Sequence, residues 1–432
     1  MEVKVERPAL SGSTLAERQP GRGRPSPFYA LRYRDFRLLW IGLVVSNVGT
    51  WMQMIAQSWL VYELTSSPLY LGLVGLCQAV PRLLFSLLGG AVADRFDRKH
   101  ILYFTQTSSM LLALALGMLA ETGAIRVWHI LASAFLNSLV MSFDQPTRQA
   151  LVSDLVPVSD LANAIAINSM AFNGAAVFGP SLGGLVLAAV GAGGCFLING
   201  LSFLAVIIAL GFMHIPSHEN SGIQGGSAFK GRSLRQDMGE VFVAVRQDHM
   251  LSALLLLTAV LSFCARPYNQ LMPVFARDIL KVGPRGLGLL MMAPGVGTVI
   301  GSLTLATLGG SHRLGPITVG AILTFSFTLL GFSCLPYFVP DLVLLIITGM
   351  GQTISLASLN TLLQTHSQSQ MRGRIMGMYT MLNTGLNPLG ALPAGALAAR
   401  FGAPLVVGSG AMIVTAATIL IAWRWVPELF QA

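Results

Sequence analysis

Four series of polar side chains recur at helical spacing inside otherwise apolar stretches. Ser46, Thr50, Gln53 and Gln57 stand at i, i+4, i+7 and i+11, one stripe of a helix. Ser133, Asn137, Asp144 and Arg148 form a second stripe, Thr258, Ser262, Arg266 and Asn269 a third, and Thr348, Gln352 and Ser355 a fourth. Arg82 shares its face with Gly72, Gly75, Ala79, Ser86 and Gly90. Hydroxyls, amides and guanidinium groups are costly in a low-dielectric interior, so such stripes face a cavity or one another. Their chemistry is recognition: a shared cavity that holds a small molecule, or, in the alternative, hydrogen bonding between helices without a ligand. Apart from Arg82 and Arg266 the central lining is neutral. That disfavours a dedicated site for organic cations and suits neutral or anionic amphipathic substrates.

Catalytic sets are missing from the pattern. Gly179-Pro180-Ser181-Leu182-Gly183 fits the G-x-S-x-G of hydrolases, but that motif needs a strand-turn-helix setting and a histidine partner. Here it falls in an apolar helix, and all seven histidines lie in loops or at helix ends. Cys77, Cys195, Cys264 and Cys334 lie in apolar segments without C-x-x-C or other ligand spacing. No G-x-x-x-x-G-K-S/T phosphate loop occurs. An enzyme, a metal site, an organic cofactor and a primary pump are therefore not expected.

The elements that carry these residues follow from composition. Of the 432 residues, 53% are hydrophobic and only 10% charged, against about 25% charged in an ordinary soluble domain. The bilayer must be the solvent. A crossing helix needs about 20 apolar residues, and twelve segments qualify: 38–62, 69–93, 101–120, 127–146, 161–188, 193–213, 250–275, 284–308, 315–335, 340–364, 373–398 and 403–425. The predicted fold is an all-α membrane protein of two six-helix halves, 31–213 and 250–426. A disordered cytoplasmic tail (1–30) precedes them and a polar cytoplasmic linker (214–249) joins them. The net charge of +9 does not gather into a basic face, so nucleic acid is not an expected partner. With the N-terminus inside, all but seven of the 27 basic residues fall on the cytoplasmic side. The seven are Arg126, Arg277, Lys281, Arg285 and Arg400 outside, and Arg82 and Arg266 within helices. Both termini are thus expected in the cytoplasm.

The halves echo each other. Segment five carries Asn173-Gly174 and Gly179-Pro180, and segment eleven carries Asn383-Thr384-Gly385 and Asn387-Pro388. Segments two and eight hold Pro81 and Pro294 and end in Gly89-Gly90 and Gly309-Gly310. Such repeats around a midplane site are a recurrent transporter plan.

Three motifs point to one family. Gly90-Ala91-Val92-Ala93-Asp94-Arg95-Phe96-Asp97-Arg98-Lys99 joins segments two and three. It resembles the G-x-x-x-D-R-x-G-R-K/R loop of the major facilitator superfamily, with Asp97 where glycine is usual. The corresponding loop of the second half, Gly310-Ser311-His312-Arg313, is degenerate. Gly174, Gly179, Pro180, Gly183 and Gly184 resemble the G-P-x-x-G-G element of its exporters and antiporters. Phe143 to Gln149, with Asn163 and Asn168, and Pro273 to Asp278 are similar to the transmembrane secretion effectors, which include macrolide efflux proteins and the enterobactin exporter.

The resemblance implies a secondary transporter that exports a small amphipathic molecule by alternating access, coupled to the proton gradient. It implies an inner gate of Gly90, Asp94, Arg95 and Arg98, with Asp144 and Arg148 as a charge relay beside it. It places segments one, four, seven and ten around a cavity, with Thr50, Gln53, Gln57, Arg82, Asn137, Ser262, Arg266, Asn269 and Gln352 as candidate lining. Asp144 is the nearest acid to Arg82 in depth. None of the 18 acidic residues falls at the middle of a predicted span; Glu63 and Asp144 come nearest, so proton coupling rests on the resemblance. A multi-pass monomer in the inner (plasma) membrane is expected. An importer of the same fold and a non-transporting receptor remain open.

Overall fold

A computed structural model describes residues 28–213, 246–308, 314–368 and 371–431. The tail through residue 27, most of the linker (214–245) and the degenerate loop at 309–313 lie outside the described residues. The helices are α1 (Arg34–Thr65), α2 (Pro68–Arg95), α3 (Arg98–Glu121) and α4 (Val127–Leu155). Leu161–Phe212 is broken at Gly191, where φ is 72°, into α5 (161–190) and α6 (192–212). Then follow α7 (His249–Ile279), α8 (Gly283–Leu308), α9 (Leu314–Cys334), α10 (Phe338–His366), α11 (Arg372–Phe401) and α12 (Ala403–Gln431). The described residues are thus all-α and form twelve helices, most of them extending several residues past the apolar runs that predict them.

Local chemistry sets the ends. Pro68 opens α2 at its first turn, where a missing N–H costs nothing. Asp248 caps α7 by accepting from the backbone N–H groups of Met250 and Leu251. Asp97, in the place of the family's glycine, has φ −58° and needs no left-handed backbone. Its Oδ1 accepts from the N–H groups of Lys99 (2.7 Å) and His100 (3.2 Å), capping α3. Two π-helical turns, Leu261–Ala265 and Phe275–Ile279, interrupt α7 on either side of Pro267 and Pro273. Arg266 directly follows the first, and Arg277 and Asp278 sit in the second.

An even number of crossings puts the start of α1 and the end of α12 on one face of the bundle, the termini face. The two halves touch toward the opposite face. A Cβ added at Gly72 of α2 would lie 2.5 Å from the Ala391 carbonyl oxygen of α11. One added at Gly184 of α5 would lie 2.7 Å from the Pro284 carbonyl oxygen and 2.8 Å from Gly288 Cα of α8. On the termini face, Asp94, Arg95 and Phe96 of α2 and Arg372 and Gly373 of α11 are exposed. A Cβ at Gly90, Gly373 or Gly377 there would meet nothing within 4 Å. The bundle is closed at the opposite face and open at the termini face.

The Asp97 cap gives a first prediction. Partial burial pushes its carboxyl up, but the hydrogen bonds from His100 and Lys99 outweigh that and hold it below the usual range. A depressed carboxyl stabilises the fold above the unfolded value of about 4 and loses that contribution as pH falls through the folded value. Asp97→Ala should cost at most about 1 kcal/mol, the side chain being half exposed. Denaturant unfolding of the purified protein should show this difference near neutral pH and lose it in strong acid.

Candidate functional site

The loop motif is anchored to α4. Arg98 donates through Nη1 to the Ala150 carbonyl (3.1 Å) and to Asp154 Oδ2, in an ion pair that is mostly shielded from solvent. Lys99 Nζ donates to the Met213 carbonyl at the end of α6. Asp94 and Arg95 are exposed and make no hydrogen bond or ion pair with the described residues. The glycine that permits close approach is Gly89 rather than Gly90. A Cβ at Gly89 would fall 2.0 Å from the Ser142 carbonyl of α4, whereas Gly90 has open space.

Asp144 is fully buried and turned toward α3. Its Oδ1 accepts from Thr105 Oγ1 (2.9 Å) and Gln106 Nε2 (2.7 Å), and its Oδ2 accepts from Arg148. Pro146 sits within a continuous α4 and does not separate the pair. This acid is therefore engaged within the first half and is not the partner of Arg82. The link between the loop motif and α4 runs through Asp154 instead, a residue the sequence pattern did not single out. Arg98 and Asp154 lie in different helices, and no periodicity relates them.

The stripes divide between packing and open surface. Gln53 accepts from Asn199 Nδ2 of α6 at 2.6 Å, so its amide points into the first half. Thr50 is exposed and bonds back to the Ser46 carbonyl. Gln57 is buried, with Nε2 lacking an acceptor. Thr348 bonds Thr328 of α9 (2.8 Å). Ser262 is buried without a partner, and Asn137, Asn269 and Gln352 are half-buried. Arg266 donates through Nη1 to the Asn383 carbonyl (3.0 Å) and Oδ1 (2.6 Å) of α11, while its Nε has no acceptor. Arg82 is exposed and bonds no described residue.

Two features hold the closed face. Tyr62, near the end of α1, donates its hydroxyl to Asp278 Oδ2 of α7. Arg277 Nη1 donates to the Tyr62 carbonyl (3.0 Å), and its guanidinium lies 5.5 Å from the Tyr62 ring centre. Sequence reasoning found Arg277 and Asp278 as a motif but not Tyr62, which lacks a polar stripe to announce it. The second feature is α5. A Cβ at Gly179 would meet Trp51, one at Gly183 would meet Met52 of α1, and Gly184 and the Pro180 carbonyl abut Gly288. Gly174, lower in the helix, touches nothing.

A cavity of about 860 Å³ lies elsewhere, on the flank of the first half between the end of α2, α3 and α4. Phe96, Ile101, Phe104, Leu112, Leu139 and Phe143 line it. Asp97, His100, Thr105 and Ser108 line it as well, and all of its lining residues belong to the first half.

Polar groups gathered where two helical halves meet, with one face shut and the other open, define a membrane transporter. The chain belongs to the major facilitator superfamily and, within it, to the transmembrane secretion effectors, whose family model matches residues 25–431. It is 25% identical to the staphyloferrin A transporter of Staphylococcus aureus over 80% of this chain and 85% of that one. It is 24% identical to the multidrug efflux pump Tap of Mycolicibacterium fortuitum, over 84% and 88%. It is also 24% identical to the enterobactin exporter of Salmonella typhi, over 89% and 92%. Its fold matches a bacterial homologue of the lysosomal transporter Spinster with a TM-score of 0.70, at 14% identity over 95% of this chain and 98% of that one. The protein is a multi-pass integral membrane transporter of a small molecule, not an enzyme.

Two predictions follow from this geometry. In a background with the native cysteines replaced by serine, Gln57→Cys should resist a membrane-impermeant maleimide. Adding Gly184→Val or Tyr62→Phe should make it reactive, because either change weakens the closed face. In a double-mutant cycle, Arg98→Gln and Asp154→Asn should show a coupling of about 1 kcal/mol in unfolding free energy; additive losses would count against a working ion pair.

Proposed function

We propose that this transporter exports a small amphipathic organic molecule by alternating access, driven by proton antiport. The observation that carries this reading is the one-sided contact between the halves. Polar side chains of both halves approach the junction, and one face is sealed by packing that could be undone without breaking either half. The excess of basic residues on the termini face supports its being cytoplasmic, which makes this conformation inward-open. The membrane is then the inner (plasma) membrane, and the working unit a monomer.

Three relatives named for siderophore or drug movement support export of an amphipathic metabolite or drug. The helix-five motif supports it as well: Gly184 and the Pro180 carbonyl lie where α5 meets α8 of the other half, the surface that must part for outward release, while Gly183 packs against α1 within its own half. Asp94 and Arg95, idle in the inward-open state, would re-engage the second half when the cytoplasmic side closes. Arg98 would hold the loop in place through Asp154. Gln57, Asn137, Arg266, Asn269 and Gln352 would face substrate during the cycle, whereas Gln53 would act by fixing α1 against α6. Proton coupling has its support in family membership. Of the acids considered, Asp144 is buried in a bonded network and Glu63 is exposed at the end of α1.

Accumulation of a macrolide and dye panel in efflux-deficient cells tests the proposal. Cells with the wild-type protein should hold several-fold less of at least one compound than cells without it. A protonophore should abolish the difference, and Asp94→Asn should reduce it about tenfold or more. Raised accumulation in the presence of the protein would indicate an importer. Protonophore-resistant export would remove the antiport step.

A further inference from the structure

Two arginines, one from each half, stand midway along α2 and α7 where these helices pack near α11, and no described acid bonds either of them. Gly75 of α2 faces α7 and α11: a Cβ there would lie 3.2 Å from Ala391 Cβ and 3.7 Å from Gln270 Nε2. Arg82 follows Gly75 by seven residues, two turns, and so shares that face. Leu83 still reaches α11, its Cδ2 lying 3.1 Å from where a Cβ of Gly385 would be. From the other half, Arg266 lies one turn from Gln270 on α7, and its guanidinium rests on Asn383, two residues from Gly385. Both residues thus stand on the faces of α2 and α7 that meet near α11, on the open side of the Gly72–Ala391 contact.

Neither charge is neutralised there. Arg82 bonds no described residue, and Arg266 is held by neutral Asn383 with its buried Nε left over. Asp144 is occupied by Thr105, Gln106 and Arg148. The other described acids of the spans, Asp35, Glu63, Asp94, Glu121, Asp154, Asp278, Asp341 and Glu428, stand near helix ends. An enclosed guanidinium without a counter-charge, as at Arg266, is expensive, whereas Arg82 is exposed and open to a ligand. Arginine presents a planar fork of donors that matches paired oxygens.

We infer that Arg82 and Arg266 form a two-part site for an amphipathic organic anion, one arginine contributed by each half. The anion's paired oxygens, as in a carboxylate, take the guanidinium donors, and its apolar part lies against the exposed Leu83. Asn383 holds Arg266 in position, while Arg82 is free to turn toward the ligand. Bound between them, the anion ties α2 to α7 and α11 at the layer where the halves begin to diverge. An organic cation is repelled from the same layer. This site rests on the transporter reading but is indifferent to the direction of transport.

The test is equilibrium binding to the full-length protein in phosphatidylcholine nanodiscs. The probes are naphthalene-2-carboxylate and fluorescein as anions, chloramphenicol as a neutral molecule and tetraphenylphosphonium as a cation. At least one anion should bind saturably and tetraphenylphosphonium should not. Arg82→Gln and Arg266→Gln should each weaken the anion about tenfold or more. Arg82→Lys and Arg266→Lys, which keep the charge and the fold, should recover part of the loss. Anion affinity unchanged in both glutamine variants, or no saturable binding of either anion, would overturn the site. Saturable binding of chloramphenicol or tetraphenylphosphonium alone would overturn it too, yet would leave the export proposal standing. Conversely, an importer would bind the anion as described and fail the accumulation test.

Discussion

The contact of α5 with α8, repeated by α2 with α11, is the constraint on which the rest of this molecule depends. Lipid tails are as apolar as leucine, so helices in a bilayer gain no hydrophobic energy by meeting. They associate through close packing and polar contacts. At Gly184 and Gly288 the backbones come so near that a single added carbon would collide. Gly72 and Ala391 repeat the arrangement. These contacts occur toward one face only. The far ends of the same helices therefore diverge, the termini face opens, and Asp94 is left without a partner among the described residues.

The polar interactions separate into two groups with different tasks. Gln53 with Asn199, Thr348 with Thr328, Asp144 with Thr105 and Gln106, and Arg98 with Asp154 each join helices of the same half. They let each half move as a body. Tyr62 with Arg277 and Asp278 joins the two halves at the closed face. A hydroxyl, a carboxylate and a guanidinium can exchange protein partners for water when that face opens, at little net cost. Helix α7 carries both the junction arginine and this bridge, each at a π-helical turn. Such turns are frequent at functional positions.

The twelve spans were legible because the bilayer imposes a length and a composition that no soluble helix needs. The break at Gly191 was legible too, falling between the predicted segments 161–188 and 193–213. The direction in which a polar stripe points was not. Spacing shows that Ser46, Thr50, Gln53 and Gln57 share a side of α1, but the neighbour that side meets is set by packing. Gln53 turned out to face α6, and Asp144 to face α3. Gly89 and Gly90 are indistinguishable in sequence, yet only Gly89 abuts a carbonyl. Asp154 and Tyr62 were missed for the same reason: each finds its partner across a long separation in the chain. Asp97 shows how a motif can tolerate a change, since the backbone there is not left-handed and a carboxylate caps the helix that follows.

The central claim is that the two halves exchange one closed face for the other. Pulsed electron-spin distance measurements on the protein in nanodiscs test it most directly. One label pair would sit at Phe96 and Gly373 on the termini face, the other at Leu64 and Tyr337 on the opposite face. Two populations with opposed changes, the first pair far when the second is near and the reverse, would be the predicted result. A single fixed distance at both pairs, unmoved by substrate or pH, would contradict it.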